Sequence, residues 1–184
     1  MISSTKYYTT FKTDWGYCGF VYSKKTMHRF YLPYRSKLLL QQAIFNTFGV
    51  LPFCCDGQKD IESRIVDYFS GNVVEMDIKN EMVDGFALRI SGETVFAQQV
   101  LKTLMTVSVG DTITYGQLAV KAGYQGSARA VGSVMRRNQF PLLIPCHRVV
   151  PAGTKGVGQF SAMGGTSFKK KLLAHEAMIA MEVK

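Results

Sequence analysis

The sequence predicts a two-part protein, with an N-terminal α/β half that contains a small sheet and a mainly α C-terminal half. Three observations lead to this prediction: strand-like segments alternate with turns near the N-terminus, residues 112–140 carry a helix-turn-helix pattern, and the excess positive charge lies in the C-terminal half. The mixed stretch from Asn72 to Phe86 contains the turn signal Asp84-Gly85 and is the expected connector. We therefore expect two domains, residues 1–85 and 86–184.

The N-terminal half reads as a meander of strands followed by helices. Aromatic and β-branched residues predict three strands, at Tyr7–Phe11, Tyr17–Tyr22 and Met27–Leu32, with Asp14-Trp15-Gly16 as the first turn. Apolar periodicity predicts two helices, at Gln41–Phe48 and Ile61–Phe69. The second of these helices places its apolar residues on one face: Ile61, Ile65, Tyr68 and Phe69. We find no repeat and no catalytic motif in this half.

The segment from Thr112 to Phe140 has the pattern of a helix-turn-helix. A first helix over Gln117–Ala122 ends at Gly123, which suits a left-handed cap. Ser127 is the expected hydroxyl cap of a second helix, Ala128–Arg137, whose apolar face is formed by Ala128, Val131, Val134 and Met135. Gly132 costs about 1 kcal/mol inside a helix, so it is tolerated best where something comes close to its backbone, either a packed helix neighbour or a nucleic-acid backbone.

The charge distribution favours nucleic acid. Residues 1–85 carry 10 Lys and Arg against 9 Asp and Glu, whereas residues 86–184 carry 12 against 4. A general solubilising excess would explain the total of +9 but not this asymmetry. The basic half also holds the helix-turn-helix, as expected of a nucleic-acid-binding protein.

The run Ile144–Val150 places Cys146 beside His147 and Arg148. Cationic neighbours lower a cysteine pKa and favour the reactive thiolate, so Cys146 is a candidate nucleophile. Taken alone, a buried structural cysteine fits the pattern equally well. Farther along the chain, Glu176 shares an apolar helix face with Leu172 and Leu173 in the predicted helix Phe168–Met181. A carboxylate at such a place needs a partner, and His147 is the natural one.

The remaining cysteines and histidines suggest neither disulfides nor metal. Cys18, His28, Cys54 and Cys55 match no zinc-ligand spacing, so we expect no metal site and apolar packing of the cysteines. Absence of a tidy disulfide pattern favours a reducing compartment, cytoplasmic or nuclear. We recognise neither a signal peptide nor an apolar run of the roughly 18 residues that a membrane span requires.

Several motifs together resemble the O6-alkylguanine-DNA alkyltransferases, the methylated-DNA–protein-cysteine methyltransferase family. They occur in order, densely from Thr94 to Glu176: Thr114–Ala119, Ala128–Gly132, Asn138, Pro141–Val150 and Leu172–Glu176. The resemblance implies a ribonuclease-H-like N-terminal domain with an antiparallel sheet, and a C-terminal domain with a winged-helix-like helix-turn-helix. It also implies DNA repair by direct damage reversal, in which Cys146 irreversibly takes the alkyl group of O6-alkylguanine, and of O4-alkylthymine, in a single turnover.

The resemblance implies roles for residues of this chain. Cys146 would be the nucleophile, activated by a relay of Glu176, His147 and a water molecule. Tyr115 would donate a hydrogen bond to guanine N3, and Asn138 would be the remaining catalytic residue. Lys169 would help to hold Asn138 and the active-site loop. The alkylated base would lie against Met135 and Phe160, with the Ser161 N–H at its oxygen and the Cys146 and Val149 carbonyls at its amine. No cofactor or metal is implied.

The same resemblance predicts minor-groove binding to double-stranded DNA by a monomer. Arg129 would replace the base that is rotated out of the duplex, while Tyr115 crowds the adjacent phosphate. The other expected DNA contacts are Ala128, Gly132 and Arg136. The chain departs from the family pattern at Ser161–Gly165, about two residues longer than usual, and at Phe160, where tyrosine is frequent.

Two other functions fit part of the pattern. A helix-turn-helix transcription regulator would read base edges with polar side chains, but the second helix here begins with Ala, Arg, Ala, Val and Gly. A non-catalytic protein that binds alkylated DNA is the nearer alternative, and the presence of Cys146 argues against it. A cysteine hydrolase is disfavoured because no oxyanion hole is evident.

Overall fold

We describe the fold from a computed structural model, which covers residues 5–49, 52–54, 59–72, 78–79, 82–90, 93–153 and 156–182. The chain divides into two compact units, Met1–Arg89 and Ile90–Lys184. The sequence places the boundary at 85/86, but Phe86–Leu88 is a strand of the first sheet. The expected connector, Asn72 to Phe86, therefore lies within unit 1. No described helix is both long and apolar enough to cross a membrane.

Unit 1 is built on a mixed sheet whose centre is the predicted meander. Its long strands, β1 (Tyr7–Thr13), β2 (Gly16–Ser23) and β3 (Thr26–Tyr34), pair antiparallel. Four short strands complete the sheet: β4 (Phe53–Cys54), β5 (Ile78–Lys79), β6 (Met82–Val83) and β7 (Phe86–Leu88). The strand order is β4-β1-β2-β3-β7-β6-β5. The implied antiparallel sheet is found among β1, β2 and β3 and among β5, β6 and β7, but the whole sheet is mixed, because β4 joins β1 and β7 joins β3 in parallel.

Two helices belong to unit 1, α1 (Lys37–Phe48) and α2 (Lys59–Phe69). Helix α1 begins before the predicted Gln41 because the Ser36 hydroxyl accepts the N–H of Leu39, and it ends at Gly49, which has a left-handed φ of 72°. Its buried residues, Leu40 and Ile44, pack in a core cluster with Tyr8, Val21 and Tyr31. Helix α2 buries the four residues predicted for its apolar face.

Unit 2 is mainly helical. Its helices are α3 (Val95–Leu104), α4 (Tyr115–Lys121), α5 (Ala128–Arg137) and α6 (Gly165–Glu182). Two short strands, β8 (Ile113–Thr114) and β9 (Val149–Val150), pair in parallel, and a 3-10 turn over Cys146–Arg148 precedes β9. This unit carries every residue for which the sequence suggests chemistry.

The helix-turn-helix consists of α4 and α5. Helix α4 begins two residues before the predicted Gln117 because Thr114 and Gln117 form a reciprocal capping box. Gly123 and Gly126 in the turn have φ values of 86° and 82°, a region that favours glycine. The prediction that the Ser127 hydroxyl caps α5 is wrong. The Ser127 backbone is not extended, and its carbonyl instead accepts the N–H of Val131.

Candidate active site

Asn138 shapes the segment that leads to the candidate nucleophile. It ends α5, and its side-chain amide donates to the Ile144 carbonyl at 2.8 Å while its Oδ1 accepts the Phe140 N–H at 3.0 Å. The intervening residues form a tight loop in which the Ile144 N–H donates to the Phe140 carbonyl at 2.7 Å. Leu142 lies in this loop with a φ of 76°, unusual for a residue with a side chain. Asn138 thus fixes how the chain enters the Cys146 turn.

The Cys146 thiol is buried, with 6% of the residue exposed. Burial raises the thiol pKa, and this effect outweighs the hydrogen bond from Asn138 and the positive charge of Lys169, which lower it. The sequence suggested that the neighbouring cations would lower the pKa. That expectation is wrong, because His147 is neutral and Arg148 is paired with a carboxylate, as described next. At neutral pH the thiol is protonated, so it needs a base to become a nucleophile.

His147 provides an imidazole next to that thiol. Its Nε2 lies 2.8 Å from Oε1 of Glu176, and both side chains are fully buried. Burial lowers the His147 pKa, an effect that the adjacent carboxylate only partly offsets, and the charges of Arg148 and Lys169 lower it further. The neutral ring therefore carries its proton on Nε2 and leaves Nδ1 as an acceptor. This Nδ1 is buried and has no hydrogen-bond partner among the described residues.

Arg148 is the second partner of Glu176, a pairing that the sequence did not predict, since Arg148 was expected to act on the Cys146 thiol. Its Nε donates to Oε2 at 2.9 Å and its Nη2 donates to Oε1 at 2.8 Å, while Nη1 donates to the Val107 carbonyl. Burial alone would raise the Glu176 pKa, but the hydrogen bonds and charges of His147 and Arg148 hold it well below its usual range. A neutral histidine cannot balance a buried carboxylate charge, so a cation is needed, but the spacing of the sequence did not identify Arg148 as that cation.

Lys169 is a third buried charged side chain at this site. It lies on α6 two turns before Glu176, and its Nζ donates to the Val149 carbonyl at 2.6 Å. Burial lowers the Lys169 pKa to about 8, with Cys146 acting in the opposite direction. The family resemblance implied that the Val149 carbonyl accepts from a guanine amine, and that Lys169 helps to hold Asn138 and the active-site loop. In the structure the lysine instead bonds Val149, immediately after the Cys146 turn.

A cavity of about 270 Å³ opens beside Cys146. It brings together five residues expected at the thiol or base: Tyr115, Met135, Cys146, Phe160 and Ser161. Gly132 and Arg136, expected to contact DNA, also line it, as does Gln159, which the sequence analysis did not identify. Gln159 is adjacent in sequence to Phe160, and this position was the one sequence signal that could have placed it at the pocket. Val149 is not among the lining residues, being fully buried.

Tyr115 forms the wall of the cavity at the start of α4. Burial raises the pKa of its hydroxyl, and the negative charge of a Cys146 thiolate would raise it further. A Cβ on Gly132 would lie 3.8 Å from the tyrosine ring, and one on Gly158 would lie 3.8 Å from the hydroxyl. Both glycines therefore border the ring. Gly158 also has a φ of 79°, and a Cβ at this position would lie 2.9 Å from Pro151. The hydroxyl stays protonated and can donate at neutral pH.

The exposed side of α5 carries the residues expected to meet DNA. The Arg129 side chain is exposed, Ala128 is half-buried, and neither lines the cavity. Within the part of the chain that the structure describes, the Arg129 guanidinium has no ion pair or hydrogen bond. Arg129 is thus available to an external ligand.

The described residues contain no cluster of side chains suited to binding a metal ion. Within the described ranges no three His, Cys, Asp or Glu side chains could hold a metal ion. Cys18 is buried, which raises its pKa, and Cys54 is exposed. Cys55 lies outside the described residues.

The buried His147 predicts a pH dependence of stability. Because burial lowers its pKa below the ordinary 6.5, the folded state binds a proton less readily than the unfolded chain, and stability falls as pH falls below about 6.5. Glu176 acts in the same direction only below its ordinary 4.5. We expect the free energy of unfolding of wild type to decrease from pH 7 to pH 5, and the His147→Asn variant to show a shallower decrease.

Denaturant unfolding at each pH measures this. The pKa of His28 is also lowered by burial, but His28 is present in both proteins and cancels in the comparison. Equal slopes for the two proteins would contradict a neutral His147.

Comparison with known proteins agrees with this geometry. Residues 95–178 match the family model described as "6-O-methylguanine DNA methyltransferase, DNA binding domain". The human methylated-DNA–protein-cysteine methyltransferase is 52% identical over 82 residues, which are 44% of this chain and 38% of the relative. Its Shigella flexneri counterpart is 35% identical over 121 residues, 66% of this chain and 64% of the relative. The matches thus span less than two thirds of these relatives.

Solved structures extend the similarity to both units. The O6-methylguanine methyltransferase of Mycobacterium tuberculosis is 26% identical with a TM-score of 0.71, over 94% of this chain and 93% of that one. The M. tuberculosis OGT structure in complex with DNA matches with 28% identity and a TM-score of 0.71, over 94% of each chain. Residues 95–178 thus carry the DNA-binding domain of the 6-O-methylguanine DNA methyltransferase family, and the solved structures show that both units are similar to O6-methylguanine methyltransferases.

Proposed function

We propose that this protein repairs DNA by transferring the alkyl group of O6-alkylguanine, and of O4-alkylthymine, to Cys146. The observation that carries the proposal is the position of the Cys146 thiol, which borders a cavity of about 270 Å³ and is followed in the chain by a histidine bonded to a buried glutamate. The S–C bond that forms is stable, so each molecule acts once. The names of the relatives support the same reaction.

The first step is removal of the thiol proton. The neutral His147 uses Nε2 to donate to Glu176, so Nδ1 is the base, and a water molecule between Nδ1 and the sulfur would carry the proton. Glu176 keeps the ring in this tautomer, while Arg148 keeps Glu176 ionised. The nearby Lys169 ammonium stabilises the thiolate as it forms.

The second step is displacement at the alkyl carbon. The thiolate attacks that carbon, the C–O6 bond breaks, and its electron pair moves to the guanine. Tyr115 donates a proton to N3, so the base leaves neutral, and the Ser161 N–H contacts O6. The Cys146 and Val149 carbonyls already accept one hydrogen bond each, and each retains a second lone pair for the guanine amine. Met135 and Phe160 cover the faces of the base.

Access to an alkylated base requires that the base leave the duplex. Helix α5 would enter the minor groove, where Ala128 and Gly132 allow close approach, and Arg129 would fill the gap in the base stack. Arg129 is exposed and lies in the first turn of α5, on the same helix face as Gly132 and Arg136, which line the cavity. The M. tuberculosis relative was solved with DNA, and the net charge of +8 over residues 86–184 supports the same partner here.

We also propose a fold family for each unit, an oligomeric state and a cellular compartment. Unit 1 would be ribonuclease-H-like, and α4, α5 and the β8–β9 pair would form a winged-helix-like element. The protein would act as a monomer without metal or organic cofactor, in the cytoplasm or nucleus. The alternatives, lesion binding without transfer and transcription regulation, leave the Cys146, His147 and Glu176 arrangement without a use.

We expect one alkyl group per protein molecule. Wild type incubated with excess duplex DNA containing O6-methylguanine gains the mass of one methylene group, and peptide mapping assigns it to Cys146. The Cys146→Ser variant gains none, and Cys18→Ser is the matched control that still gains one. Turnover beyond one equivalent, or restored DNA with unmodified protein, would rule out the proposal.

A substitution of Arg129 distinguishes the base-flipping step from the alkyl-transfer step. We expect Arg129→Ala to slow repair of duplex DNA by about tenfold or more, because the gap left by the flipped base costs a few kcal/mol to keep open. Reaction with free O6-methylguanine base needs no flipping and should be much less affected. Single-turnover rates on the two substrates measure this, and equal losses on both would remove the assignment.

A further inference from the structure

The loop between α3 and β8 contacts both members of the buried pair formed by Glu176 and Arg148. The Val107 carbonyl accepts from Nη1 of Arg148, and the Gly110 N–H donates to Oε2 of Glu176 at 3.4 Å. Neither Val107 nor Gly110 is among the residues that line the cavity. The loop therefore contacts the carboxylate that orients His147 and the cation that balances it, without contacting the space for the substrate.

Gly110 has a backbone conformation that its loop requires. The Ser108 carbonyl accepts the Asp111 N–H at 3.2 Å, so residues 108–111 form a tight turn with Gly110 in the third position. Its φ is 83°, in the left-handed region that favours glycine and that several turns require at this position. The turn fixes the Gly110 backbone, and with it the direction of the N–H that reaches Glu176.

Gly110 also packs against α6 with no room for a side chain. A Cβ at this position would lie 2.6 Å from the Cβ of Ala180 and 3.4 Å from the Glu176 carbonyl oxygen. Carbon atoms in contact are normally about 3.5–4.0 Å apart, so an added methyl group would force the loop and α6 apart by about 1 Å. Ala180 follows Glu176 by four residues, and residues at this spacing share one face of a helix. The loop thus packs on the turn of α6 that carries the carboxylate.

We propose that Gly110 is a positioning residue for alkyl transfer, because its close packing on Ala180 sets where the Glu176 carboxylate meets His147. The inference rests on the proposed transfer to Cys146. The carboxylate orients the imidazole through the 2.8 Å contact between Oε1 and Nε2. A misplacement of about 1 Å can cost about 10²-fold in rate. The step that suffers is removal of the thiol proton, since His147 is the base.

The competing role for Gly110 is that of a turn glycine that only stabilises the fold. The two roles differ in their effect on the pH profile of transfer. A structural role lowers stability and leaves the shape of the profile unchanged. A positioning role slows transfer at neutral pH, and the deficit shrinks as rising pH ionises the Cys146 thiol without a base.

The ionisable groups that act on the carboxylate and the imidazole stay in place in such a test. His147 and Arg148 face Glu176 from the Cys146 turn, and Lys169 on α6 acts on His147. Substitutions between glycine, alanine and valine remove none of these groups and add no charge. A changed pH profile therefore reports the position of the groups.

The experiment measures transfer from free O6-methylguanine between about pH 6 and pH 9, so that DNA binding does not enter. Gly110→Ala adds the methyl group that meets Ala180. Ala180→Val adds bulk from the side of α6 and keeps the Gly110 backbone unstrained. The double variant Gly110→Ala/Ala180→Gly removes the 2.6 Å contact but keeps the backbone strain.

Gly49→Ala is the matched control for backbone strain. Gly49 also has a left-handed φ, 72°, but it lies after α1 in unit 1, and a Cβ there would meet nothing within 4 Å. Melting temperatures of all five proteins measure the effect of each substitution on stability.

We expect Gly110→Ala and Ala180→Val to be slower than wild type at pH 7 by about tenfold or more, within the cost of a misplacement of about 1 Å. The deficit should shrink toward high pH. The double variant should recover most of the wild-type rate and the wild-type profile, although its melting temperature stays below that of wild type. Gly49→Ala should lower the melting temperature and leave the profile unchanged.

Three results would overturn the inference while leaving the proposed function intact. The first is a folded Gly110→Ala variant that has the wild-type rate at pH 7 or is slowed equally at every pH. The second is a folded double variant that keeps the whole deficit of Gly110→Ala. The third is an Ala180→Val variant with the wild-type profile, which decides the question if Gly110→Ala does not fold. A wild type that transfers no methyl group to Cys146 would contradict the proposed function, and the inference with it.

Discussion

The structure around Cys146 depends on one buried carboxylate. Glu176 lies on α6 with no exposed surface, and its two oxygens bond His147 from one side and Arg148 from the other. A buried carboxylate left without its partners costs about 3–5 kcal/mol, so the two residues after the nucleophile are held against α6. The loop that follows α3 is bonded to the same group of side chains. Its Gly110 N–H donates to Oε2 of Glu176 at 3.4 Å, and its Val107 carbonyl accepts from Arg148.

This arrangement separates charge balance from proton transfer. If His147 alone faced Glu176, the carboxylate would favour a protonated imidazole, which could not accept the thiol proton. Arg148 carries the compensating positive charge, and burial then keeps His147 neutral. Cys146 stays a protonated thiol until the base acts, because burial dominates its pKa. The resting thiol is therefore protonated, and in the proposed reaction the thiolate forms only when His147 takes up the proton.

Sequence patterns were sufficient for the elements with strong local signals. The β1–β3 meander, α5 and the buried face of α2 follow from aromatic, β-branched and helical periodicity. The parallel pairing of β4 and β7 could not be predicted, because strands of two or three residues carry no periodicity. The pairing of His147 with Glu176 was expected from the cost of burying a carboxylate. The Arg148 clamp and the Lys169 bond to Val149 depend on three-dimensional packing that spacing does not encode.

The central claim is that Glu176 makes His147 the base for Cys146. The most direct test measures the rate of methyl transfer from free O6-methylguanine between about pH 6 and pH 9 for wild type and Glu176→Gln, a range that brackets the ordinary His and Cys pKa values. At pH 7 the variant should be slower by about 10²-fold or more, the usual contribution of a positioned base, and the deficit should shrink as rising pH ionises the thiol directly. A variant as fast as wild type at pH 7, or a deficit that does not change with pH, would contradict the account.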